Sequence, residues 1–207
     1  MKISPQEFAE RVAALKCYAD IGYHGHFYRT GTEQLVPIST ETCDPDTVIR
    51  QIGEEISWFK AAGIQPEIYT AGWWFLSANI VRELERYGIL VDASIRRGKP
   101  DTFGGRYLGD DVIPSHGIPF ILPPSKNIVA IQSLFGPVMI RQAMKRHLAG
   151  YLAGDPARKL GFVFPLHDWD VPRYRRSIWT NIETLSHEEG IVRWADLIEM
   201  RKELFER

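Results

Sequence analysis

Residues 20–28 read Asp-Ile-Gly-Tyr-His-Gly-His-Phe-Tyr. A run of this kind reads as a strand that ends by delivering polar and aromatic side chains to one mouth. Residues 68–75, Ile-Tyr-Thr-Ala-Gly-Trp-Trp-Phe, and residues 164–170, Phe-Pro-Leu-His-Asp-Trp-Asp, repeat the pattern. Helical periods lie between them. Upstream of the first run, Ser4-Pro5-Gln6-Glu7 has the residues of a helix start: Ser4 to cap, Pro5 at the first helical position and Glu7 to complete a capping box. Phe8, Val12, Ala13 and Leu15 then form an apolar stripe, and the helix is expected to end near Lys16. Asp20 to His24 is the first expected strand.

Downstream, residues 29–43 are polar and read as a loop. Asp44-Pro45 opens a second helix, with Val48, Ile49, Ile52, Ile56 and Phe59 at helical spacing and Gly63 as its stop. Glu67 to Thr70 is a short strand, Ser77 or Asn79 starts a third helix that stops at Gly88, and Ile89 to Ala93 is the next strand. Residues 95–118 have no clear period. Strands are expected at 119–122, 161–165 and 191–193, and helices at 136–153, 172–187 and 195–206. Strand and helix alternate throughout, which predicts an α/β fold on a mainly parallel sheet, in a single domain spanning 1–207.

The chain has 207 residues, 44% hydrophobic and 25% charged, with a net charge of −1. That profile is globular, and it lacks the basic excess that a nucleic-acid or acidic-membrane partner requires. The two cysteines make neither a disulfide framework nor a cysteine-type zinc site. No apolar run approaches the roughly 20 residues of a spanning helix, and no leader pattern precedes the first helix, so the expected location is cytoplasmic.

His24 and His26 are two apart, so in an extended chain their imidazoles project to one face and can bind a divalent metal. Asp20 lies on the same alternation and can add a carboxylate. The same spacing also suits a pair of partly exposed loop histidines. His167-Asp168 follows a buried apolar run, at the end of a strand where α/β folds place their chemistry. His167 is either a general acid or a cap of the next helix. Trp73, Trp74 and Trp169 can stack on sugar rings or pack in the core.

Taken in order, these segments resemble the later motifs of the polysaccharide deacetylases, the NodB-like carbohydrate esterases. Asp-Ile-Gly-Tyr-His-Gly-His is similar to their histidine motif. His24 matches the first metal-binding histidine, while the second falls on Tyr28, with His26 between them. Tyr-Thr-Ala-Gly-Trp-Trp resembles the groove-wall motif, with Thr70 where the family has arginine. Leu-Val-Asp-Ala-Ser-Ile at 90–95 is similar to the Tyr-Asp-Ser-Ser segment of one branch, matching Asp92 to its aspartate. Pro-Leu-His-Asp matches the last motif, which makes His167 the catalytic acid.

The resemblance implies an incomplete or distorted (β/α) barrel of the NodB type. The first strand, which ends in paired aspartates in active members, is missing from the chain as it stands. It also implies hydrolysis of an N-acyl group on a sugar of a surface polysaccharide or its precursor. A divalent metal (zinc, nickel or cobalt) would sit on His24 and His26, with Asp20. His167 would be the acid and Asp168 or Asp92 the base, with Tyr28, Trp73, Trp74 and Trp169 along the carbohydrate groove. The departures support an alternative, a catalytically inactive carbohydrate-binding module. A missing strand would leave an open edge, for a homodimer or a strand-donating partner to fill.

Overall fold

The computed structural model describes residues 4–27, 45–72, 75–95, 108, 112–114, 119–133, 162–163 and 170–188. Helix α1 (Pro5–Lys16) begins as the sequence predicts: the Ser4 hydroxyl accepts the Glu7 N–H at 3.1 Å. Glu7 turns its carboxylate to Arg11, one turn on, at 2.6 Å. Strand β1 (Tyr23–Gly25) starts later than Asp20. Helix α2 (Pro45–Ala61), strand β2 (Ile68–Ala71), helix α3 (Ala78–Arg86) and strand β3 (Val91–Asp92) follow. Gly63 and Gly88, placed as helix stops, hold φ of 69° and 84°, the left-handed region that only glycine enters without strain.

Strand β4 (Phe120–Ile121) turns back into β5 (Val129–Ala130), and the chain runs on through Ile131 into β6 (Gln132–Ser133). Strand β7 (Phe162–Val163) and helix α4 (Asp170–Glu188) complete the described elements. The sheet order is β1-β2-β3-β5-β4, with β1, β2, β3 and β5 parallel and β4 antiparallel at one edge. Strand β6 pairs in parallel with β7. The fold is therefore mixed α/β with a mostly parallel sheet. Among the described residues β1 and β4 are the sheet's edges.

The sequence reading places no strand at 128–133, although Ile128 to Ile131 is an apolar run of the kind a strand buried on both faces requires. The expected strand at 191–193 and the expected helices at 136–153 and 195–206 lie outside the described residues. No helix among the described residues is long and apolar enough to cross a membrane.

The core fills both faces of the sheet. Val48, Ile52, Ile56 and Phe59 of α2 pack with Tyr23 and Tyr69 on one face, together with Ile80, Val81 and Leu84 of α3. Ile68, Val91, Val129 and Ile131 form a smaller cluster on the other. One carboxylate oxygen clamps α3 to the β4–β5 turn. Glu85 Oε1 accepts from the Ser125 hydroxyl (2.7 Å), the Lys126 and Asn127 amides (both 3.1 Å) and Asn127 Nδ2 (2.9 Å). Partial burial pushes the Glu85 carboxyl up. The hydrogen bonds from Ser125, Lys126 and Asn127 outweigh it and hold the group below the usual glutamate range.

A carboxylate whose pKa is lowered on folding stabilises the fold above its unfolded pKa, and that contribution fades as pH falls through the folded value. Replacing Glu85 by Gln is expected to cost about 2 kcal/mol at pH 7. It should also flatten the acid limb of stability between pH 5 and 2. Urea unfolding of both forms across that range checks this, and equal midpoints at pH 7 would refute it.

Candidate active site

The parallel strands end at one edge of the sheet, and β1 brings His24 there with His26 immediately beyond it. Parallel pairing runs Tyr23↔Tyr69, His24↔Thr70 and Gly25↔Ala71. Residues in register share a face, so His24 lies on the Thr70 side while Tyr23 and Tyr69 point to α2. His24 Nδ1 is 2.9 Å from the Thr70 carbonyl oxygen. A carbonyl can only accept, so Nδ1 carries the proton and Nε2 of the neutral ring is the acceptor. That Nε2 lies 2.9 Å from His26 Nε2, with the two rings nearly perpendicular at 87°. In the neutral pair His26 Nε2 therefore donates to His24 Nε2.

His26 is held on two sides. Its carbonyl accepts from Gln51 Nε2 of α2 at 3.2 Å, and the same amide donates to Glu55 Oε1 at 3.1 Å. Its ring lies on the backbone of Gly72, where a Cβ would come within 2.4 Å of Nδ1 and 2.6 Å of Cε1 and Cγ. No side chain fits there, so the glycine of the Ala-Gly-Trp-Trp segment exists in this fold as a shelf for an imidazole. Sequence reading singles out neither Gly72 nor Gln51. The legible signal was the position of Gly72 one residue past a strand end, a common mark of close approach.

The structure brings His24 and His26 together and separates the other described candidates from them. Asp20 is exposed and precedes β1, at the opposite end of the strand from His26. Among the described residues no third His, Cys, Asp or Glu joins the pair in a metal-holding group. Asp92 is in register with Tyr69 and Ala130, which sets it on the α2 side of the sheet, the face opposite His24. There it is fully buried. Its Oδ1 accepts the Ser94 N–H at 2.9 Å and its Oδ2 the Ser94 hydroxyl at 2.8 Å. Tyr28, Trp73, Trp74, His167, Asp168 and Trp169 lie outside the described residues.

Buried and half-buried polar groups gather on the α2 side of the sheet, the face opposite His24. Burial, with the nearby Glu55 and Tyr69, raises the Tyr23 phenol far above its usual range. Burial and the neighbouring Asp92 do the same to Tyr69, so both stay protonated. The Tyr23 hydroxyl and the Glu55 carboxyl are near neighbours without the geometry of a made hydrogen bond. Burial raises the Glu55 carboxyl, and the neighbouring Tyr23 hydroxyl and the hydrogen bond from Gln51 oppose it. Burial pushes Asp92 up to about 7, against the two bonds from Ser94.

The donor chemistry fits a divalent metal in kind. Each ring offers a nitrogen, and imidazole nitrogen is the ligand type that zinc, nickel and cobalt take. A ring N–H donated to a backbone carbonyl, as His24 donates to Thr70, is the usual support of a metal-binding histidine.

No family model matches this chain. No curated protein matches it either. Among solved structures it is similar to a "putative polysaccharide deacetylase" from Mycobacterium smegmatis, with a TM-score of 0.62 and 14% sequence identity, over 96% of this chain and 67% of that one. At that identity the likeness shows a shared fold, a deacetylase-like α/β arrangement.

Two outcomes follow. Gly72→Ala should displace the His26 ring and break the His24–His26 contact at a cost of about 1–3 kcal/mol. Histidine side-chain NMR with urea unfolding checks this, and unchanged histidine signals would contradict it. Asp92 has its pKa raised on folding, so its ionisation opposes the fold. Stability should decline as pH rises from about 4 through 7, by a contribution of roughly 4 kcal/mol at most. Asp92→Asn should remove that part of the slope in thermal unfolding between pH 4 and 8.

Proposed function

We propose that this chain is a divergent polysaccharide deacetylase-like hydrolase that removes an N-acyl group from a sugar of a surface polysaccharide or its precursor. The observation that carries the reading is the His24–His26 pair, set at the C-terminal edge of a parallel sheet and held by the Thr70 carbonyl and the Gly72 shelf. It occurs in a fold shared with a protein described as a "putative polysaccharide deacetylase". Closure of the sheet into a NodB-type barrel is part of the same reading.

His24 and His26 would hold a divalent metal of the zinc, nickel or cobalt type. When bound, such an ion supplies a Lewis acid that polarises the amide carbonyl and acidifies water. The protein's own contributions are distinct from that. Thr70 keeps His24 in the Nδ1–H tautomer, so that its Nε2 lone pair faces the site. Gly72 and Gln51 fix the ring and the backbone of His26. By its match to the last family motif, His167 would give a proton to the departing amine nitrogen, and Asp168 beside it would take one from water. Asp20 precedes β1, at the other end of the strand from His26. Tyr28, Trp73, Trp74 and Trp169 would offer ring faces to the sugar.

One observation favours a second reading, a carbohydrate-binding domain without turnover. Asp92, one of the two carboxylates offered as base, faces the opposite side of the sheet.

Acetate release from N-acetylglucosamine oligomers, with zinc, nickel or cobalt added, separates the two. The hydrolase reading expects release that falls to background in His24→Ala. Oligomer binding by calorimetry with no acetate from the parent chain would instead establish the binding domain, and neither binding nor release would sink both.

A further inference from the structure

Asp92 is buried, charged in kind and remote from the face that carries His24, yet its hydrogen bonds lead back to His26. The β2–β3 ladder pairs Ile68↔Val91 and Tyr69↔Asp92, and the Ala93 N–H donates to the Tyr69 carbonyl at 2.9 Å. There the ladder stops. The next amide on β2, that of Ala71, donates to the Ser94 hydroxyl oxygen at 2.7 Å. That hydroxyl spends its own proton on Asp92 Oδ2, and Asp92 Oδ1 takes the Ser94 N–H. The rotor is thus locked at both ends, with Asp92 on one side and the last amide of β2 on the other. The residue after Ala71 is Gly72, whose Cα lies so close to the His26 ring that no methyl group fits between them.

We propose that Asp92 is a positioning residue: acting through the Ser94 hydroxyl, it fixes the Ala71–Gly72 end of β2 and thereby orients the His26 imidazole toward His24. This rests on the reading of His24 and His26 as the functional pair, and it gives Asp92 a role other than that of a base. The physical logic is one of direction. A carboxyl group that accepts twice from Ser94 leaves the Ser94 oxygen lone pairs for Ala71. A side-chain amide at position 92 presents a donor where Ser94 now donates, so the hydroxyl must turn and the hold on Ala71 loosens. A glycine has no side chain of its own to anchor the shelf, and its place is set by the neighbours of its backbone. On the other side of His26, Gln51 bonds the carbonyl, which fixes the backbone.

The test is the tautomer pattern of the two histidines in the metal-free full chain, labelled with nitrogen-15 histidine. It is read by two-bond proton–nitrogen correlation at one pH and assigned with His24→Gln and His26→Gln. The parent should show His24 fixed as Nδ1–H and His26 fixed as Nε2–H. Asp92→Asn and Ser94→Ala should keep the backbone spectrum and the His24 pattern but lose the fixed His26 tautomer to averaging. Ser94→Thr, which retains the hydroxyl, should restore it. A purely structural brace would lower stability in these variants and leave His26 unchanged, and that result in folded Asp92→Asn and Ser94→Ala overturns the proposal. If either variant does not fold, Ser94→Cys, close in volume and a weaker acceptor, probes the same point with the same two outcomes. A parent without fixed tautomers would remove the histidine pair itself, and with it both the positioning role and the proposed chemistry. A parent with them and insensitive variants would remove the positioning role alone.

Discussion

The register between β1 and β2 sets everything that happens at the sheet's edge. Pairing His24 with Thr70 puts an imidazole N–H within reach of a strand carbonyl, and pairing Gly25 with Ala71 brings Gly72 level with His26. A slip of β1 by one residue would turn both histidines toward the core and send Tyr23 out, away from Tyr69. Those two phenol rings, 5.2 Å apart and packed on Phe59 and the rest of α2, oppose such a slip by hydrophobic burial alone. The polar face of β1 is thus placed by the apolar demands of its other face.

That arrangement has a cost on the buried side. Tyr23, Tyr69, Glu55 and Asp92 sit close together where charge is disfavoured, and the carboxyls respond by holding their protons to higher pH. A core built only for stability would fill these positions with aliphatic side chains. Two of the four polar groups connect directly to the site. Glu55 shares Gln51 with the His26 carbonyl, and Asp92 reaches the His26 shelf through Ser94. Glu55 and Asp92 thus tie the α2 side of the sheet to the strand ends that carry the histidines.

Several elements were legible because their signals are local. Ser4 caps α1, Ser77 caps α3, and the stops at Gly63 and Gly88 fall where glycine alone tolerates the backbone. The apolar positions 48, 52, 56 and 59 face the core as a helical period requires. The pairing of His24 with His26 followed from a two-residue alternation. Strand β5 was missed because a short apolar run buried on both faces carries no alternation to read. The motif match offers Asp92 as a candidate base, but a motif indicates a segment and not which face of the sheet a side chain takes.

By itself the sequence determined the alternation of strand and helix, the caps and stops, and the side of β1 on which two imidazoles emerge, because each depends on neighbours within a few residues. Tertiary structure decided the rest. The tautomer of His24 depends on a carbonyl 46 residues away. The seat of the His26 ring depends on a missing side chain at Gly72, and the placing of Asp92 on the face opposite His24 depends on strand register. These are relations between segments that meet only when the sheet forms, and the amide-to-carbonyl ladder that fixes them is the same for every sequence, so no residue pattern records it.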